Sequence, residues 1–139
     1  MPKEAERFVL DTSALLTLKL DEPGAAEVQR ILETSKSHGG AFASFISLME
    51  YYYVLMRGEG EAAANQGYAA LKHLPMRIIE SDAELGLAAG RIKASHRLSL
   101  ADAWVAATAE RLKAILVHKD PEFNSLKGEV RLHALPFKS

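Results

Sequence analysis

The stretch Arg7-Phe8-Val9-Leu10-Asp11-Thr12-Ser13-Ala14 decides the fold. Its apolar run is too short for a helix and reads as a strand buried on both faces. The run stops on an acid. Residues 12–20 then continue as a short helix, ended by Asp21-Glu22-Pro23-Gly24. A buried strand that delivers an acid into a helix start is the opening of a βα unit, and strands joined through helices pair in parallel.

The same alternation extends outward. Ala25, Val28, Ile31 and Leu32 form a helical stripe that His38-Gly39-Gly40 ends. Residues 41–45 read as a second strand, 46–56 as a strongly apolar helix, and 61–74 as another helix with Tyr68 and Leu71 inward. Pro75 precedes a third strand at 76–80. Leu85, Ala88, Ala89 and Ile92 recur at the spacing of an amphipathic helix. Residues 98–112 form an alanine-rich helix carrying Trp104, 114–117 a fourth strand, and 129–132 a fifth. The expected fold is α/β with a parallel sheet, and some connections hold two helices.

The 139 residues suit one domain, 1–139. With 48% apolar and 25% charged residues the chain has enough to build a core, which excludes intrinsic disorder. Cysteine is absent, so disulfide scaffolds, thiolate zinc sites, iron–sulfur clusters and a cysteine nucleophile are excluded. A formal net charge of −1 excludes a polybasic nucleic-acid coat. The longest charge-free apolar run, residues 41–49, is far shorter than the ~20 residues that span a bilayer. Residues 1–7 are polar and lack the apolar segment of a signal peptide. The expectation is a cytoplasmic protein with no membrane partner. No P-loop, GxGxxG or GxSxG pattern occurs.

Four acids stand out by position. Asp11 closes the first strand. Glu50 is the only charge between residues 41 and 56, and Asp102 the only one between 98 and 108. Asp120 follows the fourth strand in Leu116-Val117-His118-Lys119-Asp120-Pro121-Glu122-Phe123. Each has an ordinary reading as a helix-start acid. Ser47-Leu48-Met49-Glu50, Ser99-Leu100-Ala101-Asp102 and Ser81-Asp82-Ala83-Glu84 fit or nearly fit a capping box, and Asp120 before Pro121 suits a cap. Two facts argue for more. Glu50 and Asp102 lie in helices apolar nearly all round, which marks buried helices, and a buried carboxylate needs a partner or a metal. In a parallel sheet all strand-to-helix junctions share one edge, where ligands bind. Asp11, Glu50 and Asp120 therefore converge, whereas Asp102, which follows another helix, is not placed by this rule.

Carboxylates ~4 Å apart repel by about 4 kcal/mol per pair at an effective dielectric near 20, so such a cluster takes up protons or a cation. An all-oxygen set favours Mg²⁺ or Mn²⁺. Either ion lowers the pKa of a bound water and gives a hydroxide-like nucleophile suited to phosphodiester attack.

Val9-Leu10-Asp11-Thr12-Ser13-Ala14, Ser47-Leu48-Met49-Glu50, Leu100-Ala101-Asp102-Ala103 and Val117-His118-Lys119-Asp120-Pro121-Glu122-Phe123 resemble the four acidic motifs of PIN domains, in order and across nearly the whole chain. Within that family they look like the VapC-type toxins of prokaryotic toxin–antitoxin pairs. The resemblance implies a three-layer α/β/α sandwich with a central, mainly parallel sheet of about four to five strands. It implies a Mg²⁺- or Mn²⁺-dependent endoribonuclease acting as the toxin of a type II pair. Its partners are then an RNA substrate, a cognate antitoxin and a second copy of the chain in a homodimer. Asp11, Glu50, Asp102 and Asp120 match the acidic quartet, with Asp11, Asp102 and Asp120 as metal ligands. Thr12 and Ser13 match the supporting hydroxyl positions. His118 departs from the usual Thr or Ser, and Glu122 stands where Asp is common; both are read as supporting residues.

Two further features carry open readings. Arg91, Lys93, His96 and Arg97 are either an RNA-phosphate contact or a solvated helix face. Tyr51-Tyr52-Tyr53 with Val54, Leu55 and Met56 supplies more apolar surface than one core face needs. The helix is therefore either buried on both sides or part of a subunit or antitoxin interface. A rival class is a non-catalytic regulatory module with a metal-bound acidic pocket, of the phosphoacceptor kind, in which Lys119 would be the strand-end lysine. That reading lacks an acidic pair beside the first strand. A haloacid-dehalogenase-like site lacks the second aspartate two residues after Asp11.

Overall fold

In the computed structural model, which describes residues 5–137, the opening run forms the middle strand of a five-stranded sheet. The ends of the expected domain, residues 1–4 and 138–139, lie outside the described residues. Strand β1 (Phe8–Leu10) pairs in parallel with β2 (Ala41–Ser44) on one side and β4 (Ile115–His118) on the other. Strand β3 (Arg77–Ile79) flanks β2, and β5 (Arg131–Ala134) flanks β4, both in parallel. The order is β3-β2-β1-β4-β5.

Alternation along the strands divides the core into two layers. Val9, Phe42 and Leu116 face one side, where they pack with α5 (Ala83–Ser95) and α6 (Leu100–Leu112). Leu10, Ala43 and Val117 face the other, against α1 (Thr12–Lys19), α2 (Ala25–Ser35), α3 (Phe45–Glu59) and α4 (Glu61–Leu71). The result is an α/β/α sandwich. Three connections each hold two helices, and a 3₁₀ segment, Pro121–Leu126, leads from β4 to β5. The chain travels from β1 to β3 in one direction, then crosses back to β4. Right-handed crossovers require the helices of the return journey to lie on the opposite face. The reversal leaves a crevice between the ends of β1 and β4, the position where open α/β sheets bind ligands. This order is not the 2-1-3-4-5 of phosphoacceptor receivers, so the regulatory-module alternative loses its topology.

Several boundaries differ from the sequence reading. Strand β2 ends at Ser44, whose hydroxyl accepts from the Ile46 amide at 3.4 Å and caps α3. Ser47 is not a cap; it is fully buried and its Oγ has no partner. Glu50 therefore lies in the second turn of α3, outside any capping box. Asp82, not Ser81, caps α5 by accepting from the Leu85 amide at 2.8 Å. It also receives Arg111 through two bonds of 2.7 and 2.9 Å. The fifth strand is shifted to Arg131–Ala134, because Val130 turns into the core just before it. Helix α3 is not buried all round. Tyr51 enters the core, Tyr52 donates to Asn65 on α4 at 2.6 Å, and Tyr53 is 44% exposed. Leu100, on a helix whose apolar residues suggest burial all round, is 71% exposed at the start of α6. Among the described residues no helix is long and apolar enough to cross a membrane.

Candidate active site

Asp11 is where the strand ending becomes a site. It caps α1, with Oδ2 accepting from the Ser13 amide at 3.0 Å and from Ser13 Oγ at 2.5 Å. Its other oxygen, Oδ1, is buried and accepts from no protein donor. The Ser13 hydroxyl in turn accepts from the Lys119 amide at 2.9 Å, so one serine fixes the ends of β1 and β4 together. Thr12 donates to Glu50 Oε1 at 2.6 Å and brings the second turn of α3 to the same edge.

Asp120 is the N-cap of the 3₁₀ segment. Its Oδ1 accepts from the Glu122 amide at 2.9 Å, and Pro121 occupies a position that needs no amide donor. His118 is fully buried and holds this turn. Its Nδ1 accepts from the Asp120 amide at 3.1 Å, while the ring meets Phe123 edge-on at 5.1 Å. Burial pushes the imidazole pKa down, so the ring is neutral, with its proton on Nε2. His118 thus positions Asp120 through the backbone.

Asp102 is the third residue of α6. The helix cap is Ser99, whose Oγ accepts from the Asp102 amide at 3.1 Å, leaving the Asp102 carboxyl free to face the other acids. The strand-edge rule did not place this residue. The packing of α6 across β1 and β2 does. Ligand-capable oxygens of Asp102, Asp120 and Glu122 lie within 4.8 Å of one another. Glu122 is thereby closer to the centre than a supporting role suggests, on the exposed rim of the group.

Asp102 and Asp120 therefore meet, and Asp11 and Glu50 lie close enough to act on them electrostatically. Burial raises the Asp11 pKa to about 6, against the lowering effect of the Ser13 hydrogen bonds, and Glu50 and Asp120 add to the rise. Burial raises the Asp102 pKa to about 8, reinforced by Asp11, Asp120 and Glu50. The nearest candidate counter-charge, Lys119, is turned away. Its ammonium reaches Glu22 Oε1 at 3.4 Å and the Pro23 carbonyl at 3.2 Å. Sequence reading missed this buried pair, because no local signal joins residues 97 positions apart. Asp11 and Asp120 are thus both caps and members of the acidic group: the starts of α1, α6 and the 3₁₀ segment converge there.

An orphaned, buried carboxylate oxygen beside an all-oxygen group, with no ion pair to its acids among the described residues, is a donor set that fits a hard divalent ion. The family model of the PIN domain matches residues 8–129. The chain belongs to the PIN domain family. Several solved structures share this fold. VapBC2 from Rickettsia felis, bound to a DNA fragment from its promoter, superposes with a TM-score of 0.75 at 16% identity, over 93% of this chain and 98% of that one. DNA-bound VapBC from Salmonella typhimurium gives 0.72 at 18% identity, over 94% and 98%. VapC20 from Mycobacterium tuberculosis, described as a sarcin–ricin loop cleaving toxin, gives 0.70 at 22% identity, over 93% and 99%. Comparison with curated protein sequences finds no match.

Proposed function

We propose that this PIN domain is a Mg²⁺- or Mn²⁺-dependent endoribonuclease acting as the toxin of a toxin–antitoxin pair in the cytoplasm. The observation that carries the reading is the Asp102–Asp120–Glu122 group, with ligand-capable oxygens within 4.8 Å of one another, beside the buried and unpartnered Asp11 Oδ1. Neighbours that are VapBC pairs, and one described as an RNA-loop-cleaving toxin, support the class of substrate and partner.

Asp11, Asp102 and Asp120 would hold the ion, with Glu122 at the rim. When bound, the ion supplies charge neutralisation at the phosphate and a water of lowered pKa. Ser13 fixes the orientation of Asp11 by donating to Oδ2, which leaves Oδ1 for the ion. Thr12 does the same for Glu50 Oε1 and leaves Oε2 able to accept a proton or a water. His118 sets the turn that aims Asp120. The exposed rim at Glu122 leaves the crevice open to a strand of nucleic acid.

An apolar stripe on α3, made by Met49, Tyr53 and Met56, is exposed and supports an antitoxin or a second copy of the chain as partner. The test of the chemistry is chelation. EDTA abolishes RNA cleavage and added Mn²⁺ restores it; cleavage that survives full chelation overturns the metal-dependent reading.

A further inference from the structure

The strand beginnings carry the opposite charge from the strand ends. Arg7 immediately precedes β1, Arg77 opens β3, Lys113 ends the turn into β4, and Arg131 opens β5. With Arg111 they line a cleft of about 770 Å³ at the amino edge of the sheet, floored by Gly39, Gly40 and Phe42. Five cationic side chains face one carboxylate there, Glu6, in a chain whose net charge is −1. The acidic crevice lies across the sheet, at the opposite ends of the strands.

These cations are held rather than loose. Arg131 donates to Glu6 at 3.1 Å and to the Lys113 carbonyl at 2.7 Å. Arg7 donates to the Leu112 carbonyl at 3.3 Å, and the Arg77 guanidinium lies 5.9 Å from the centre of the Phe42 ring. Arg111 is neutralised by Asp82. Arg7, Arg77 and Lys113 have no carboxylate partner among the described residues. A concave surface with walls of one sign focuses its potential and concentrates anions. Oriented guanidinium donors suit phosphate oxygens.

We propose that this amino-edge cleft is a second RNA contact, which takes the phosphodiester backbone of a strand outside the carboxylate crevice. The choice of polyanion rests on the ribonuclease reading. One short strand does not touch both edges of the sheet, so the cleft acts on a folded RNA or on one long enough to wrap the domain. Contacts of this kind position the nucleic acid and carry no sequence preference.

The experiment measures binding without cleavage, in EDTA, by fluorescence anisotropy of a long labelled single-stranded RNA on the full chain. Because nothing is cut, its outcome is independent of whether the acids catalyse hydrolysis. The variant is Arg7→Gln/Arg77→Gln/Lys113→Asn; Asn tolerates the left-handed backbone of Lys113, at φ 52°. With its melting temperature matching the parent, the expected result is binding weaker by about tenfold and a salt dependence shallower by about two in log–log slope. A comparison variant, Arg91→Gln/Lys93→Gln/Arg97→Gln, removes the same charge from the exposed end of α5. Unchanged binding by the cleft variant overturns the proposal. Equal losses from both variants mark diffuse attraction and overturn it too. Binding of labelled polyglutamate that the cleft variant loses, while its RNA binding stays unchanged, assigns the cleft to an acidic peptide and overturns it.

Discussion

Asp102 and Asp120 bring carboxylate oxygens within 4.8 Å of each other. Burial, with Asp11, Asp120 and Glu50 as neighbours, raises the pKa of Asp102 to about 8 and favours a proton there. Without a divalent ion, protonation is the means by which the cluster tolerates its own crowding. Metal and proton therefore compete for the same oxygens.

The competition has a sign in stability. Asp11 and Asp102 ordinarily titrate near 3.8, and in the folded protein near about 6 and about 8. The folded state thus binds protons more tightly than the unfolded state. The stabilisation is complete below the unfolded value and is lost as pH rises through the folded values. In EDTA the melting temperature is expected to fall as pH rises from about 4 towards 8, as followed by calorimetry. Saturating Mn²⁺ raises it most at the alkaline end. A flat metal-free profile removes the crowding account.

Asp102→Asn separates site from scaffold. The capping bond of α6 belongs to Ser99, so the Asn variant keeps it and loses only the capacity to ionise. Its metal-free melting temperature is expected to stay level or rise, while metal affinity and RNA cleavage are lost. Ser99→Ala is expected to cost about 1 kcal/mol of stability. Glu84→Gln, on the exposed first turn of α5, is the control that leaves activity intact. An Asp102→Asn protein that melts earlier without metal yet cuts RNA normally would falsify the assignment.

Lys119→Met tests the buried pair. The Lys119 side chain is 7% exposed and that of Glu22 is 17% exposed. Removing the ammonium takes one charged partner from Glu22, and the expected loss in chemical denaturation is about 1–2 kcal/mol. Loss well under 1 kcal/mol shows that water already screens the pair.

Met49→Lys with Tyr53→Lys tests the apolar stripe of α3. Association measured by light scattering, with or without an antitoxin, is expected to weaken while metal binding stays unchanged. A parent protein that is monomeric at high concentration, and whose tyrosines no antitoxin covers, removes this interface.

The layering and the four acids were legible because buried strands, helical stripes and lone charges in apolar segments are local signals. Asp11 is the clearest case: a strand end, a helix cap and a buried oxygen without a protein donor coincide in one residue. Ser47 misled because the true cap, Ser44, looks like strand residue until the turn is made. Lys119 with Glu22, and the arginines gathered at the amino edge, were illegible for a different reason. Each lies in an unremarkable local sequence, and only the strand order brings them together. Tyr53 and Leu100 show that apolar residues on a mostly apolar helix do not by themselves reveal which face the protein covers.

The bond from the Lys119 amide to Ser13 Oγ joins residues 106 positions apart. During synthesis β1 has no β4 beside it until residues 115–118 have been made. Closing so long a loop is an entropically costly step. The grouping of Asp102 with Asp120 and Glu122 therefore waits on that closure, and any truncation before residue 120 removes two of its three members.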